Sequence, residues 1–313
     1  MNEDDCKLAD IAVKRSHAQG RDKLVGHLAM LGFAALVSGS YSIGAMAASH
    51  IGPGAINTVR FVFGICVMAS AVALLNKGRI PAPREVWRYA VLGFLMAVFF
   101  ITMFIALRLT TPVATGAVFT LMPLMAAGFG LLFLGEEPRA IVLVGLVVAA
   151  CGAVWVIFRG DVGALLAFDL GLGELIFLIG VACHAAYAPL VRRLNRGEAL
   201  PVFTLWTLFG TGVWIALYSV PELFETDWAT LPPIVWIAVA YLAVFTTAGT
   251  TFLVQFGAMR LPAAKVMAYT YLTPSFIILY EGLLGHGWAS GAVAAGALVT
   301  MAALVGLAMA PDR

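Results

Sequence analysis

Apolar residues in this chain run in blocks rather than in stripes. From residue 26 onward, apolar stretches follow one another, separated only by short clusters of charged residues, Gly or Pro. Wound as a helix, such a block is hydrophobic on every face, and about 20 residues at 1.5 Å rise match a ~30 Å hydrocarbon layer. Ten blocks can be placed, at about 26–48, 55–75, 89–107, 112–134, 140–158, 172–191, 201–220, 234–255, 263–284 and 289–309. Helices satisfy their own backbone groups in lipid. The pattern therefore predicts an all-α polytopic membrane protein with ten transmembrane helices.

The blocks repeat. Phe104 to Pro138 returns as Phe256 to Trp288, with Arg108 over Arg260 at an offset of 152 and Pro123 over Pro274 at an offset of 151. Each copy begins Ala-x-Arg-Leu, carries a proline near its middle and ends Leu-Gly. Further back, Ser38, Tyr41, Arg60 and Gly64 meet His184, Tyr187, Trp206 and Gly210 at a constant offset of 146. Five spans thus repeat as five. Because five is odd, the second copy enters the membrane from the opposite side, the inverted arrangement that places a substrate site near the midplane. The expected organisation is a polar tail over 1–25, a first five-helix repeat over 26–159 and a second over 160–313.

Composition and charge refine this picture. At 62% hydrophobic and 12% charged residues, with mean hydropathy +0.96, the chain cannot be wrapped as one water-soluble core. Its net charge of +2 is dispersed over short loops, which speaks against a nucleic-acid partner. Of nineteen Lys and Arg, sixteen fall on the N-terminal side of the membrane, two on the other, and Arg60 lies within span 2. By the positive-inside rule both termini are expected in the cytosol, in the inner (plasma) membrane. Residues 1–24 hold five basic and five acidic residues without an apolar run and read as a cytosolic tail, not a signal peptide. Four cysteines lack metal-ligand spacing and are expected as small buried side chains.

Ten spans in two halves, an Arg in span 2, and Ala106-Leu107-Arg108-Leu109 leading through Pro123 to Leu134-Gly135-Glu136 resemble the EamA-type branch of the drug/metabolite transporter superfamily. The resemblance covers roughly residues 26 to 309. It implies translocation of a small molecule, commonly export of amino acids or other small metabolites. Two departures fall near where a ligand would be read. Ser38-Gly39 and His184-Ala185 stand where the family often has Trp-Gly and Trp-Ala, and the second half ends Leu284-Gly285-His286 without the glutamate of the first.

Polar side chains at bilayer depth are costly and mark candidate sites. Ser38 and Tyr41 in span 1, and His184 and Tyr187 in span 6, lie three residues apart on one helical face and would line a central cavity, His184 being able to donate, accept or titrate. Trp206, the repeat partner of Arg60, Gln255 in span 8 and Tyr271 in span 9 are further substrate-binding candidates. For Gln255 and its neighbours Thr246, Thr247, Thr250 and Thr251 helix packing is the plainer alternative, since small side chains let helices approach, and for the span 9 tyrosines it is an interface anchor. Tyr280 is read as an interface anchor. Arg60 and Glu281 are placed by topology at similar depth, either snorkelling to the interface or forming a gating or coupling pair.

Other classes each require something missing from the sequence. No Gly-x-Ser-Gly nucleophile site or His-Glu-x-x-His is present for a membrane protease, and no Gly-x-x-x-x-Gly-Lys-Ser/Thr for ATP. No filter-like loop suggests a channel. The expectation is a secondary transporter working by alternating access without cofactor or metal, on a small-molecule substrate in the lipid bilayer, with protons as the candidate coupling ion. The alternatives are an importer or exchanger of a small cationic, aromatic or nucleoside-type metabolite, and a non-transporting membrane scaffold. Oligomeric state stays open.

Overall fold

The structure, a computed structural model, describes residues 18–48, 50–110, 115, 118–167, 171–283, 285, 288 and 290–310. The side chains of residues 41, 42, 44, 45, 48, 104, 107, 108 and 281 fall outside that description. The expectations for the tail over 1–17, Cys6, the side chains of Tyr41 and Glu281, and His286 therefore lie outside the described residues.

Among the described residues the fold is all helix, with no strand. The spans are α1 (Gly20–Ala48), α2 (Pro53–Leu75), α3 (Val86–Leu109), α4 (Met122–Leu134), α5 (Ala140–Ile157), α6 (Leu172–Leu194), α7 (Leu200–Glu225), α8a (Pro233–Tyr241), α8b (Thr250–Ala258), α9a (Ala263–Ala268), α9b (Thr273–Leu283) and α10 (Gly291–Met309). A π-helical segment, Leu242–Gly249, joins α8a to α8b, and a 3₁₀ turn, Tyr269–Leu272, joins α9a to α9b. A single-turn helix, Val162–Leu166, lies between the halves.

Among the described residues eight spans are long and apolar enough to cross a membrane, the eighth including the π segment, while α4 is shorter and span 9 is broken. The two prolines account for the difference from ten continuous blocks. Proline lacks the N–H that an interior helical turn needs but is accepted in a first turn. Pro123 sits at the start of α4, after a turn at Thr120 and Leu121, and Pro274 is the second residue of α9b. Each span with a middle proline is thus two pieces, as in transporters whose discontinuous helices flank a site.

Packing follows a two-fold rule. α3 packs on α6 as the eighth span packs on α1; α3 packs on α7 as the π segment packs on α2; α4 packs on α6 as α9b packs on α1. The pairs α2–α7, α5–α10 and α4–α9a are each their own counterpart. The fold is therefore two five-helix repeats. Gly64 and Gly210, 146 residues apart, show the correspondence at atomic scale. A Cβ on Gly64 would stand 3.0 Å from Thr247 of the π segment, and one on Gly210 would stand 2.5 Å from the Tyr89 carbonyl oxygen of α3.

The outside of the bundle is apolar, with Leu74, Leu132, Phe224 and Met309 widely exposed, as a lipid-facing surface requires. Cys66 and Cys151 are exposed on it and Cys183 is half-buried, which corrects the expectation of buried cysteines. They are small enough to face lipid tails without penalty.

Candidate transport site

α6 positions the centre of the site. Its start is fixed by Glu174, which accepts the Gly171 N–H at 2.9 Å. Gly180 lets α3 approach closely, since a Cβ there would meet the Thr102 hydroxyl at 2.0 Å. One turn further along, His184 is 6% exposed, its ring 4.4 Å from that of Phe99 and 6.4 Å from that of Tyr187. The His184 Nδ1 has no hydrogen-bond partner. Tyr187 is buried and its hydroxyl accepts the Gln255 amide N–H at 2.8 Å. Gln255, fully buried on α8b, accepts in turn from the Thr204 hydroxyl of α7. Three helices thus contribute one polar chain, Thr204 to Gln255 to Tyr187, beside an imidazole whose Nδ1 is buried without a partner. Pro189 within α6 adds to it, because a proline there leaves the Ala185 carbonyl without its helical donor.

An aromatic ladder continues from this cluster. Phe99 lies 5.2 Å from Phe100, and the Arg60 guanidinium of α2 rests 4.5 Å over the Phe100 ring. Arg60 is 6% exposed and does not snorkel.

The other sequence-derived candidates are dispersed. Ser38 is fully buried, but its hydroxyl serves backbone carbonyls, Ala34 at 2.6 Å and Thr273 at 3.3 Å. It ties α1 to span 9. Trp206 sits near the start of α7 and donates its indole N–H to the Pro81 carbonyl in the loop after α2. Tyr271 is 1% exposed in the 3₁₀ turn, which packs toward α5 and α10, and its hydroxyl lacks a partner. Tyr280, expected as an anchor, donates to the Ala35 carbonyl of α1 at 3.0 Å and so links helices. Thr246 and Thr250 donate to carbonyls one turn back, as small packing residues do.

Two ends of the bundle close differently. At the end rich in Lys and Arg, Gly135 takes φ 64° and stops α4 in a left-handed cap, its N–H on the Leu131 carbonyl at 2.9 Å and the Glu136 N–H on the Gly130 carbonyl at 3.1 Å. The turn folds Glu136 back, where it accepts from Arg192 at 3.1 Å and from the Ala263 N–H that opens α9a at 3.0 Å. Nearby, Arg88 binds Glu198, Glu85 at 3.0 Å and the Leu194 carbonyl at 2.6 Å. Beside these contacts a cavity of about 270 Å³ is lined by Asn195, Glu198, Leu200, Phe252, Phe256, Met259 and Arg260. Phe252 and Leu200 are neighbours, one helical turn along, of Gln255 and Thr204. At the opposite end Glu222 accepts the Gly54 N–H at 2.8 Å, clamping the start of α2 to α7. The adjoining cavity, about 310 Å³, includes His50, Glu222, Glu225 and Asp227.

The profile of the EamA-like transporter family matches residues 24–158 and again residues 171–309. The chain belongs to the EamA-like transporter family. Two curated relatives from Bacillus subtilis (strain 168) are similar to it. The uncharacterized transporter YyaM is 22% identical over 262 residues, covering 83% of this chain and 86% of its own. The uncharacterized transporter YetK is 21% identical over 254 residues, covering 80% and 76%. A solved crystal structure superposes with a TM-score of 0.72 over 92% of this chain and 96% of its own at 20% identity, a likeness of fold.

Membership in the EamA-like family makes the chain a membrane transporter. It also gives the buried polar chain its interest, because Thr204 and Phe99 were not among the residues singled out from sequence. The signal for Thr204 was its place on span 7, two residues before Trp206, the repeat partner of Arg60. Glu136 was visible as part of a signature, and its clamping of α6 and α9a emerges only when α4 is stopped by Gly135.

Proposed function

We propose that this EamA-like chain is a secondary transporter that moves a small metabolite across the inner membrane by alternating access, with both termini in the cytosol. Amino acids or related compounds are the proposed cargo and export the proposed direction, with protons as the coupling ion. The observation that carries the reading is the Thr204–Gln255–Tyr187 chain with the unpartnered Nδ1 of His184 beside it, buried among three helices between two separately clamped ends. A polar cluster so placed is expected where a solute is bound at depth. The excess of Lys and Arg on one side supports the orientation.

The test is flux of labelled amino acids into liposomes holding the purified full chain. Saturable flux is expected, with His184→Ala and Tyr187→Phe each weakening apparent affinity about tenfold, the worth of one hydrogen bond of about 1.4 kcal/mol. Unchanged affinity in both variants would remove the central-site assignment. Absence of saturable flux for any metabolite would favour a scaffold.

A further inference from the structure

We infer that Arg60 is the counter-charge for a carboxylate on the transported molecule, a reading that rests on the transport function proposed above. Arg60 is the eighth residue of α2, so its Cα lies about 10 Å inside the helix end. A side chain of that length pointing back toward the helix start is able to reach the surface. It does not. Its guanidinium carbon stands over the Phe100 ring, 4.5 Å from the centroid, and 5.5 Å from that of its neighbour Phe61, and the residue is 6% exposed.

Its Nε has no hydrogen-bond partner. Among the described residues no carboxylate pairs with it, whereas Arg88 and Arg192 are each met by one. Glu222 of α7, the carboxylate set against the start of α2, is occupied by the Gly54 N–H. Ring faces stabilise a cation only in part. A cation at this depth without an anion is costly, and such groups persist where a ligand or ion completes them.

The chemistry of the missing group follows from the guanidinium. Its planar fork of N–H donors fits a carboxylate in two parallel hydrogen bonds. One helical turn before Arg60, the Asn57 side-chain oxygen is buried without a donor, and on the facing π segment the Thr247 hydroxyl is buried without a partner. π-helical turns recur at functional sites. From Phe100 the ladder through Phe99 reaches His184 and Tyr187, so a small acid held at Arg60 would present its remainder toward the polar chain.

The topological expectation gave Arg60 a different partner, Glu281. α9b packs on α1, the 3₁₀ turn, α5 and α10, whereas α2 packs on α7, the π segment and α8a. An internal pair and a substrate carboxylate predict opposite stabilities, and the experiment exploits that difference.

The full chain is placed in nanodiscs of zwitterionic lipid, and apparent melting temperature is measured for wild type, Arg60→Met, Arg60→Lys and Glu281→Gln. Without ligand, Arg60→Met is expected to melt at or above the wild-type temperature, because a buried charge lacking an anion has been removed. A lower temperature, matched by Glu281→Gln and recovered by the Arg60→Glu, Glu281→Arg exchange, would put Arg60 in an internal pair and overturn the proposal.

The ligand arm uses phenylalanine, threonine, glutamate and benzoate, each beside its amide, and inorganic phosphate. At least one acid is expected to raise the wild-type melting temperature while its amide does not, with Arg60→Met abolishing the shift and Arg60→Lys keeping part of it. Equal shifts for acid and amide, or acid shifts retained in Arg60→Met, would overturn the assignment. A response to phosphate and to no carboxylate would do so too. Should no compound shift the wild type, the ligand-free comparison decides. In liposomes, saturable flux that Arg60→Met leaves unchanged would overturn the role of Arg60 and leave transport standing, whereas absence of all flux would overturn transport itself.

Discussion

Glu136 and Arg192 stand in different halves of the chain, yet the carboxylate and the guanidinium meet at 3.1 Å, with side chains 10% and 5% exposed. The same carboxylate holds the first N–H of α9a. One residue therefore joins the ends of spans 4, 6 and 9 on the basic side.

Breaking this buried pair from one side takes the opposite charge away from the group that remains. Glu136→Gln and Arg192→Gln are each expected to lower stability by about 3–5 kcal/mol. The double variant should be less destabilised than the sum of the singles, a coupling that a double-mutant cycle of thermal melts in detergent would measure. Additive losses would show that the two groups act separately.

The close approach of α3 and α7 gives a second expectation. A Cβ at Gly210 would stand 2.5 Å from the Tyr89 carbonyl oxygen, which belongs to a helix and cannot swing aside. Gly210→Ala should cost about 1–3 kcal/mol and lower the apparent melting temperature. Gly128→Ala, where a Cβ meets nothing within 4 Å, is the control and should be neutral or mildly stabilising.

A third expectation concerns acid. Burial raises the Glu198 carboxyl, but hydrogen bonds from Arg88, from the Arg196 N–H and from its own backbone N–H, together with the Arg88 charge, outweigh it and hold the pKa at about 2 against an ordinary 4.5. A depressed carboxylate stabilises the fold above the ordinary value, and that contribution is lost as pH falls from about 4.5 through about 2. Melting temperature should therefore fall across that window, with a smaller fall in Glu198→Gln. Equal acid sensitivity in both would assign the loss to other groups.

Gln255 supplies a fourth. It donates to Tyr187 and accepts from Thr204 without exposure, so Gln255→Leu removes two hydrogen bonds and strands the buried Tyr187 phenol, while Thr204 keeps its bond to the Leu200 carbonyl at 2.9 Å. A loss of about 1–3 kcal/mol is expected for the phenol left unpaired. Tyr187→Phe strands the Gln255 amide N–H instead and should cost a similar ~1–3 kcal/mol. A loss in one variant without the other in thermal melts would mean that Gln255 and Tyr187 do not depend on each other.

Much of the fold was legible in the blocks themselves, because lipid allows few alternatives to a helix of this length. The 146-residue offset also survived contact with the structure. Gly64 and Gly210 were paired by sequence and make equivalent close approaches. The central pairings were less legible. Gln255 and Tyr187 are 68 residues apart and meet only because α8b packs on α6, which no periodicity encodes. Ser38 and His184 are repeat partners in sequence, yet the Ser38 hydroxyl is consumed by carbonyls while the His184 Nδ1 has no partner. Local chemistry, not position in the repeat, separates them. The cysteines were misplaced for a related reason: in a bilayer a small apolar side chain is at home outside as well as inside.

The π segment has a consequence for the working cycle. In the alternating-access cycle proposed above, an inverted repeat whose halves were identical would have two conformations of equal energy related by a two-fold rotation, one facing each side. α3 runs as uninterrupted α-helix over Val86–Leu109, whereas its counterpart carries a widened turn at Leu242–Gly249. In such a cycle that one local difference would lift the degeneracy, so that the empty carrier would favour one face and the two legs would run at different speeds.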